Sequence, residues 1–237
     1  MIDLFYDRTP NGRKVHMALE ELGLPYEVHW VNVTRGEQFS PGFTAVNPNS
    51  KIPAIIDRDG PGGRPISLFE SGAILAYLAE KTGRLLPTDP GLRWEAICWV
   101  YWQVANQGPA SGNAAHFVQY APDAGIVDEY ATARYVTETE RCCAVLDTRL
   151  EGRTYLVGDE LTIADIICFP WTRVLKGHGV DIAQFPHLLA WSSTIAQRPS
   201  AQAKIEPPED AAGAPVGLTP EKYAEIFGVN PTAARTS

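Results

Sequence analysis

Phe69-Glu70-Ser71-Gly72-Ala73-Ile74, eighteen residues after Lys51-Ile52-Pro53, is the stretch that decides the reading. Ahead of it, Pro65-Ile66-Ser67-Leu68 has the short apolar pattern of a strand. After it, Ala73-Ile74-Leu75-Ala76-Tyr77-Leu78 has the pattern of a buried helix. A helix that opens straight after a strand presents unpaired N–H groups and partial positive charge. With the Ser71 hydroxyl beside them, these groups suit a carboxylate, and Glu70 suits an ammonium. The pair predicts a cradle for a ligand carrying an α-carboxylate next to an α-ammonium. The plain alternative is an N-cap with an acidic first turn. The residues upstream choose between the two.

Residues 2–6 read as a strand, and Thr9-Pro10-Asn11-Gly12 as a turn into a helix. Val15, Ala18, Leu19 and Leu22 line one face of that helix, and Gly23 stops it. Residues 26–33 read as a second strand, so the first crossover is parallel. A short irregular helix near 40–47, a third strand over 54–57, a turn over 59–63 and a fourth strand over 66–68 follow. A helix then runs to about Lys81 and closes at Gly83. This order predicts a thioredoxin-like α/β domain over residues 1–81.

Residues 82–91, with Pro87, Pro90 and Gly91, read as a linker, and residues 92–204 as an all-helical domain. Trp94, Ile97, Cys98, Tyr101 and Trp102 share one helical face, and Val136, Cys143, Leu146 and Leu150 another; both are expected to pack into the core, with a substrate-facing role for part of the aromatic stripe as the alternative. Thr162 and Asp165 form a reciprocal capping box, with Leu161 stapled to Ile166, a device of folding rather than catalysis. Residues 205–237 form a tail. Its first part, 205–217, reads as loose, and Thr219-Pro220-Glu221 opens a short helix bearing Tyr223, Ile226 and Phe227.

The net charge of −8 and the lack of a Lys/Arg cluster argue against a general nucleic-acid binder. No stretch approaches the 18 or so apolar residues of a membrane span. Met1-Ile2-Asp3-Leu4-Phe5 enters a strand with no secretory pattern, so a cytoplasmic location is expected. Cys98, Cys142, Cys143 and Cys168 make no C-x-x-C pair and are expected to be free, buried thiols. The five histidines show no metal-ligand spacing, and no metal is expected.

Several fragments then fall in a known order: Thr9-Pro10-Asn11-Gly12; Gln38-Phe39; Asn47-Pro48-Asn49-Ser50-Lys51-Ile52-Pro53-Ala54-Ile55; Leu68-Phe69-Glu70-Ser71-Gly72-Ala73-Ile74-Leu75; Tyr77 to Gly83; Phe117; Arg134-Tyr135; and Leu161 to Ile166. The ordered set, covering roughly residues 1–200, resembles the glutathione transferase superfamily. Within it the set looks most like the nu-class bacterial glutathione-dependent disulfide-bond oxidoreductases. The resemblance implies a thioredoxin-like domain followed by an all-helical one, a homodimer, and glutathione or glutathione disulfide as ligand. It also implies a cis bond before Pro53, which would turn the Ile52 N–H and C=O edge-on to a peptide-like ligand. Glu70 and Ser71 would then hold the γ-glutamyl end, and Lys51 and Gln38 the glycyl carboxylate.

The chemistry centres on the thiol. Many relatives place Tyr, Ser or Cys near the first turn; here Thr9 stands there, with Asn11 two residues on. A helix N-terminus and a hydroxyl or amide donor favour a thiolate. Thr9 is the first sulfur-facing donor, Asn11 the second and Tyr6 a rival inside the strand; a mere capping role for Thr9 or Asn11 is the alternative. With no cysteine in the turn, disulfide reduction must use glutathione thiols. Arg134 would offset the charge of a second glutathione, across a dimer, or else be an exposed helix arginine. The expected activity is disulfide reduction of a small disulfide, with peroxidase or transferase side activity. The alternatives are conjugation of small electrophiles and a non-catalytic glutathione- or protein-binding module.

Overall fold

Four strands, β1 (Ile2–Tyr6), β2 (Tyr26–Trp30), β3 (Ala54–Asp57) and β4 (Ile66–Phe69), form one sheet in the order β2-β1-β3-β4. The computed structural model describes residues 1–209 and 219–228. β1 and β2 run parallel, as the crossover requires, and β3 and β4 are antiparallel to their neighbours. The crossover helix α1 (Pro10–Leu22) starts under a Thr9 cap with Pro10 in its first turn, and ends on Gly23 in the left-handed region. A short helix α2 (Pro41–Thr44) lies between β2 and β3, and α3 (Ser71–Thr82) follows β4 and stops at Gly83.

An all-helical domain follows: α4 (Pro90–Trp102), α5 (Gly108–Ala115), α6 (Ala121–Asp123), α7 (Glu129–Leu150), α8 (Ile163–Thr172), α9 (Pro186–Ala196) and α10 (Pro199–Gln202). Two π-helical turns, Gln103–Gln107 and His116–Tyr120, interrupt the run from α4 to α6. A last helix, α11 (Pro220–Phe227), is capped by Thr219. Ile2, Leu4 and Tyr6 of β1 pack with Val15, Ala18 and Leu19 of α1 and with Ile74, Leu75 and Leu78 of α3. The same core continues through Ala96, Val100, Ile163, Ile166 and Ile167 into the helical domain. Gly72 permits the close approach of the two halves: a Cβ there would stand 3.0 Å from Val100.

Three expectations are corrected. The second strand stops at Trp30 rather than 33, because Asn32 caps a 3-10 turn over Val33–Arg35. The Trp94–Trp102 face is core only in part: Ile97 and Trp102 are half-buried against the core, but Trp94 and Tyr101 are each 69% exposed, and Cys98 is exposed as well. α4 buries Ala96 and Val100 instead, because small residues let it sit tightly on its neighbours. The other three cysteines are buried, as are Cys143, Leu146 and Leu150 on the α7 stripe.

The capping box of α8 is present. Buried Asp165 accepts from the backbone of Leu156 and Thr162, the Thr162 hydroxyl and the Trp191 indole. Residues 203–208 carry no regular structure, and the rest of the loose stretch, from 210 on, lies outside the described residues. The tail helix returns to the body: buried Tyr223 bonds His116 through its hydroxyl at 2.6 Å, and α11 also meets the Val33–Arg35 turn. Among the described residues no helix is long and apolar enough to cross a membrane.

Candidate functional site

The sheet register gathers three of the predicted segments at one edge. Phe5 and Phe69 both face Ala54, so the ends of β1 and β4 flank the start of β3. Thr9 to Asn11, Ile52-Pro53 and Glu70-Ser71 therefore leave the sheet side by side. The Ile52–Pro53 bond is cis, as the resemblance implied. Asn47, buried, shapes the approach by donating to the Lys51 carbonyl at 2.5 Å. Among the described residues the Ile52 N–H and C=O have no hydrogen-bond partner, which leaves that edge free to pair with a peptide.

Glu70 occupies φ 68°, ψ 111°, a conformation that a non-glycine residue adopts at a cost of about 1–3 kcal/mol. This turn carries the chain from β4 into α3 and leaves the α3 N-terminus without a side-chain cap. The first N–H groups of α3 are thus open to an anion, with the Ser71 hydroxyl among them. The Glu70 carboxylate is exposed and makes no ion pair among the described residues, so it can receive an ammonium.

Thr9 Oγ1 accepts from the Gly12 N–H at 3.1 Å, so Thr9 does cap α1. Accepting does not use the hydroxyl proton, and Thr9 can donate to a sulfur at the same time. Gly12 keeps this turn tight, since a Cβ would collide with the Asp7 carbonyl and press on the Tyr6 ring. Asn11 Oδ1 accepts from Trp171 Nε1 at 3.2 Å. An indole N–H can only donate, so Trp171 forces the Asn11 oxygen toward itself and the NH2 away. That amide nitrogen has no partner among the described residues. Tyr6 is buried between the rings of Trp30 and His16, and burial raises its phenol pKa.

Lys14 is the residue that sequence reasoning missed. It is 1% exposed, with Nζ 2.6 Å from Gln103 Oε1, 3.4 Å from Ser71 Oγ and 6.0 Å from the Trp171 ring. Burial pushes its ammonium down to about 7, against the pull of Cys168 and Glu70. The available signal was position: Lys14 lies four residues before Ala18 on the buried face, but Arg13-Lys14 reads as a surface pair.

The remaining predicted residues are placed less closely. Gln38 sits on a 3-10 turn after β2, buried, with its amide oxygen unpartnered. Lys51 is exposed beside Ile52. Arg134 is exposed on α7 and pairs with Glu138 at 3.3 Å. Burial pushes Cys142 up to about 11, Cys143 to about 12 and Cys168 well above its ordinary value. Asp3, Glu27 and His29 do converge as a metal-ligand set could, but the Arg58 guanidinium bonds both acids. A cleft of about 910 Å³ adjoins Thr9, with Arg8, Arg13, Arg173, Phe169 and Val174 in its wall.

Comparison with known proteins places this geometry. Residues 9–81 match the family model for the glutathione S-transferase N-terminal domain, and residues 115–199 that for the C-terminal domain. The chain is 44% identical to the disulfide-bond oxidoreductase YfcG of Escherichia coli over 84% of this chain and 92% of the relative. It is 40% identical to the disulfide-bond oxidoreductase YghU of the same organism, over 84% and 72%. A Burkholderia graminis glutathione transferase with two glutathione molecules per subunit superposes with a TM-score of 0.81 at 45% identity, covering 85% of each chain. A Pseudomonas putida glutathione transferase with one glutathione disulfide per subunit gives 0.81 at 42%, covering 85% and 89%.

Proposed function

The chain belongs to the glutathione S-transferase family, and we propose that it is a nu-class glutathione-dependent disulfide reductase that works through the thiolate of bound glutathione. One observation carries the reading. At the α1 N-terminus Thr9 Oγ1 accepts from Gly12 and Asn11 Oδ1 from Trp171, which leaves a hydroxyl proton and an amide NH2 able to donate, and none of the four cysteines lies in this turn. Similarity to two disulfide-bond oxidoreductases, and to structures holding two glutathiones or glutathione disulfide, supports it.

Glutathione docks with its γ-glutamyl carboxylate on Ser71 and the α3 N-terminus, and with its ammonium on Glu70. Its cysteinyl backbone pairs with Ile52, and Lys51 and Gln38 meet the glycyl carboxylate. The thiol, with an ordinary pKa near 8.5, loses its proton because Thr9 and Asn11 donate to the sulfur. The thiolate attacks a substrate disulfide, forming a mixed disulfide and expelling a thiolate that takes a proton from water. A second glutathione thiolate attacks the mixed disulfide, giving glutathione disulfide and the second reduced thiol. Two electrons pass from the two glutathiones to the substrate.

A homodimer completes this reading, with Arg134 offsetting the charge of the second glutathione. The outward Trp94 and Tyr101 ridge supports such pairing. A cytoplasmic setting supplies the reduced glutathione the cycle consumes. Conjugation to an electrophilic carbon is the second reading, favoured by the apolar side chains of Phe169, Pro170 and Val174 in the mixed wall of the cleft beside Thr9. The test is a variant carrying Cys98→Ser, Cys142→Ala, Cys143→Ala and Cys168→Ala. Folded and glutathione-binding, it should reduce 2-hydroxyethyl disulfide at a rate within about twofold of the parent. Loss of that activity would show that a protein thiol takes part.

A further inference from the structure

Lys14 is a buried cation for which no carboxylate partner lies within ion-pair distance among the described residues. Its contacts are a Ser71 hydroxyl, a Gln103 amide oxygen and an indole face. A buried ammonium so placed is poorly compensated, because neutral oxygens replace water but supply no opposite charge. The nearest position for an anion is the front of Ser71, at the α3 N-terminus, where the proposed γ-glutamyl carboxylate docks.

The Lys14–Ser71 contact also has a direction. An ammonium has only protons to offer, so charged Lys14 donates to Ser71 Oγ and the Ser71 proton must point elsewhere. The outward direction is toward the ligand. A neutral amine carries a lone pair and can accept from Ser71, which turns the serine proton inward and away from a carboxylate. Gln103 Oε1 accepts from either form. Gln103 itself lies at the first position of a π-helical turn, a distortion frequent at functional sites.

We propose that Lys14 is a positioning residue, which acts through Ser71 and takes up a proton when the γ-glutamyl carboxylate docks. This rests on the glutathione reading above. The groups facing Lys14 support it. From α8, Cys168 draws Lys14 toward its charged form only as a thiolate, and burial raises the thiol well above its ordinary value; Trp171 is uncharged. From the turn before α3, Glu70 also favours the charged form of Lys14, and its carboxylate lies at the surface. From the π turn comes Gln103. On α1 itself, Arg13 turns aside to the carbonyls of Ala201 and Ala203 and to His16. Burial lowers the Lys14 ammonium to about 7, which balances Lys14 between its two forms near neutral pH. A carboxylate on Ser71 favours the charged form, so binding and proton uptake are linked.

S-methylglutathione tests this, because it keeps the γ-glutamyl end and has no thiol to ionise. Calorimetric titration at pH 7.5 to 8, in buffers of different ionisation enthalpy, counts the protons exchanged. The parent protein should take up on the order of half a proton or more per site, and its affinity should fall about tenfold from pH 6.5 to 8.5. Lys14→Arg, always charged, and Lys14→Met, never charged, should bind with no uptake and with less than about twofold change over that range. Lys14→Gln serves if the methionine variant does not fold. A residue that only fills space would leave the proton count alone. Binding without uptake in the parent, or uptake that persists in Lys14→Met, overturns the role of Lys14 while leaving the glutathione site standing. Failure of S-methylglutathione to bind, or undiminished binding in Ser71→Ala, overturns the γ-glutamyl site and this inference with it.

Discussion

Replacing Thr9 by valine separates two functions that one oxygen performs. The hydroxyl accepts from the Gly12 N–H at 3.1 Å and keeps one proton to donate. Valine preserves the shape and removes both bonds. Loss of an N-cap costs about 1 kcal/mol, which for a chain of this size lowers the melting temperature by about 2–4 °C. Loss of a hydrogen bond to a thiolate costs about 1.5–3 kcal/mol, which raises the pKa of the bound thiol by about one to two units. The thiolate fraction near neutral pH falls in proportion, and the rate about ten- to a hundredfold. Above the raised pKa the rate should recover, because the thiol then ionises without help. Serine at this position keeps both bonds and is the control. The assay is the pH–rate profile for reduction of 2-hydroxyethyl disulfide by glutathione, read beside thermal unfolding and the affinity for S-methylglutathione. Affinity should change less than rate, since the γ-glutamyl contacts are untouched. A Thr9→Val protein that melts earlier but keeps the parent pH–rate midpoint would refute the donor role and leave Thr9 a helix cap. The Asn11 amide, aimed by Trp171, would then be the group facing the sulfur.

Two further expectations follow from other parts of the fold. Glu70→Ala and Ser71→Ala should each weaken glutathione binding about tenfold to a hundredfold, for a charge-assisted hydrogen bond of about 1.5–3 kcal/mol; unchanged calorimetric affinity in both would remove the γ-glutamyl site. Asp165→Ala should destabilise the chain by about 3–5 kcal/mol, because it strands buried donors from Leu156, Thr162 and Trp191. Urea unfolding measures this loss, and a change under about 1 kcal/mol would show that the capping network contributes little.

What the amino-acid order determines by itself is the part written in short-range physics. Apolar period, caps and stops locate β1, α1, β3, β4 and α3, because a cap at Thr9 or a stop at Gly23 concerns residues within one turn. The Thr162–Asp165 box is legible for the same reason. Glu70-Ser71 was legible as a strand-to-helix turn because strand and helix meet there in sequence. Its convergence with Thr9 and Ile52 depends on the register of Ala54 between Phe5 and Phe69. Tertiary structure alone decided how the side chains around these segments are oriented. Trp171 orients Asn11 from 160 residues away, and Gln103 holds Lys14 from 89. No local pattern records a contact between residues so far apart. It also decided which side of α4 is buried. Period marks the Trp94–Tyr101 face and the Ala96–Val100 face alike as apolar, and only the space between packed helices selects the smaller one. Lys14 shows the same limit from the other side. A lysine is read as exposed because water solvates its charge, unless distant residues close over it, as Ser71, Gln103 and Trp171 do here.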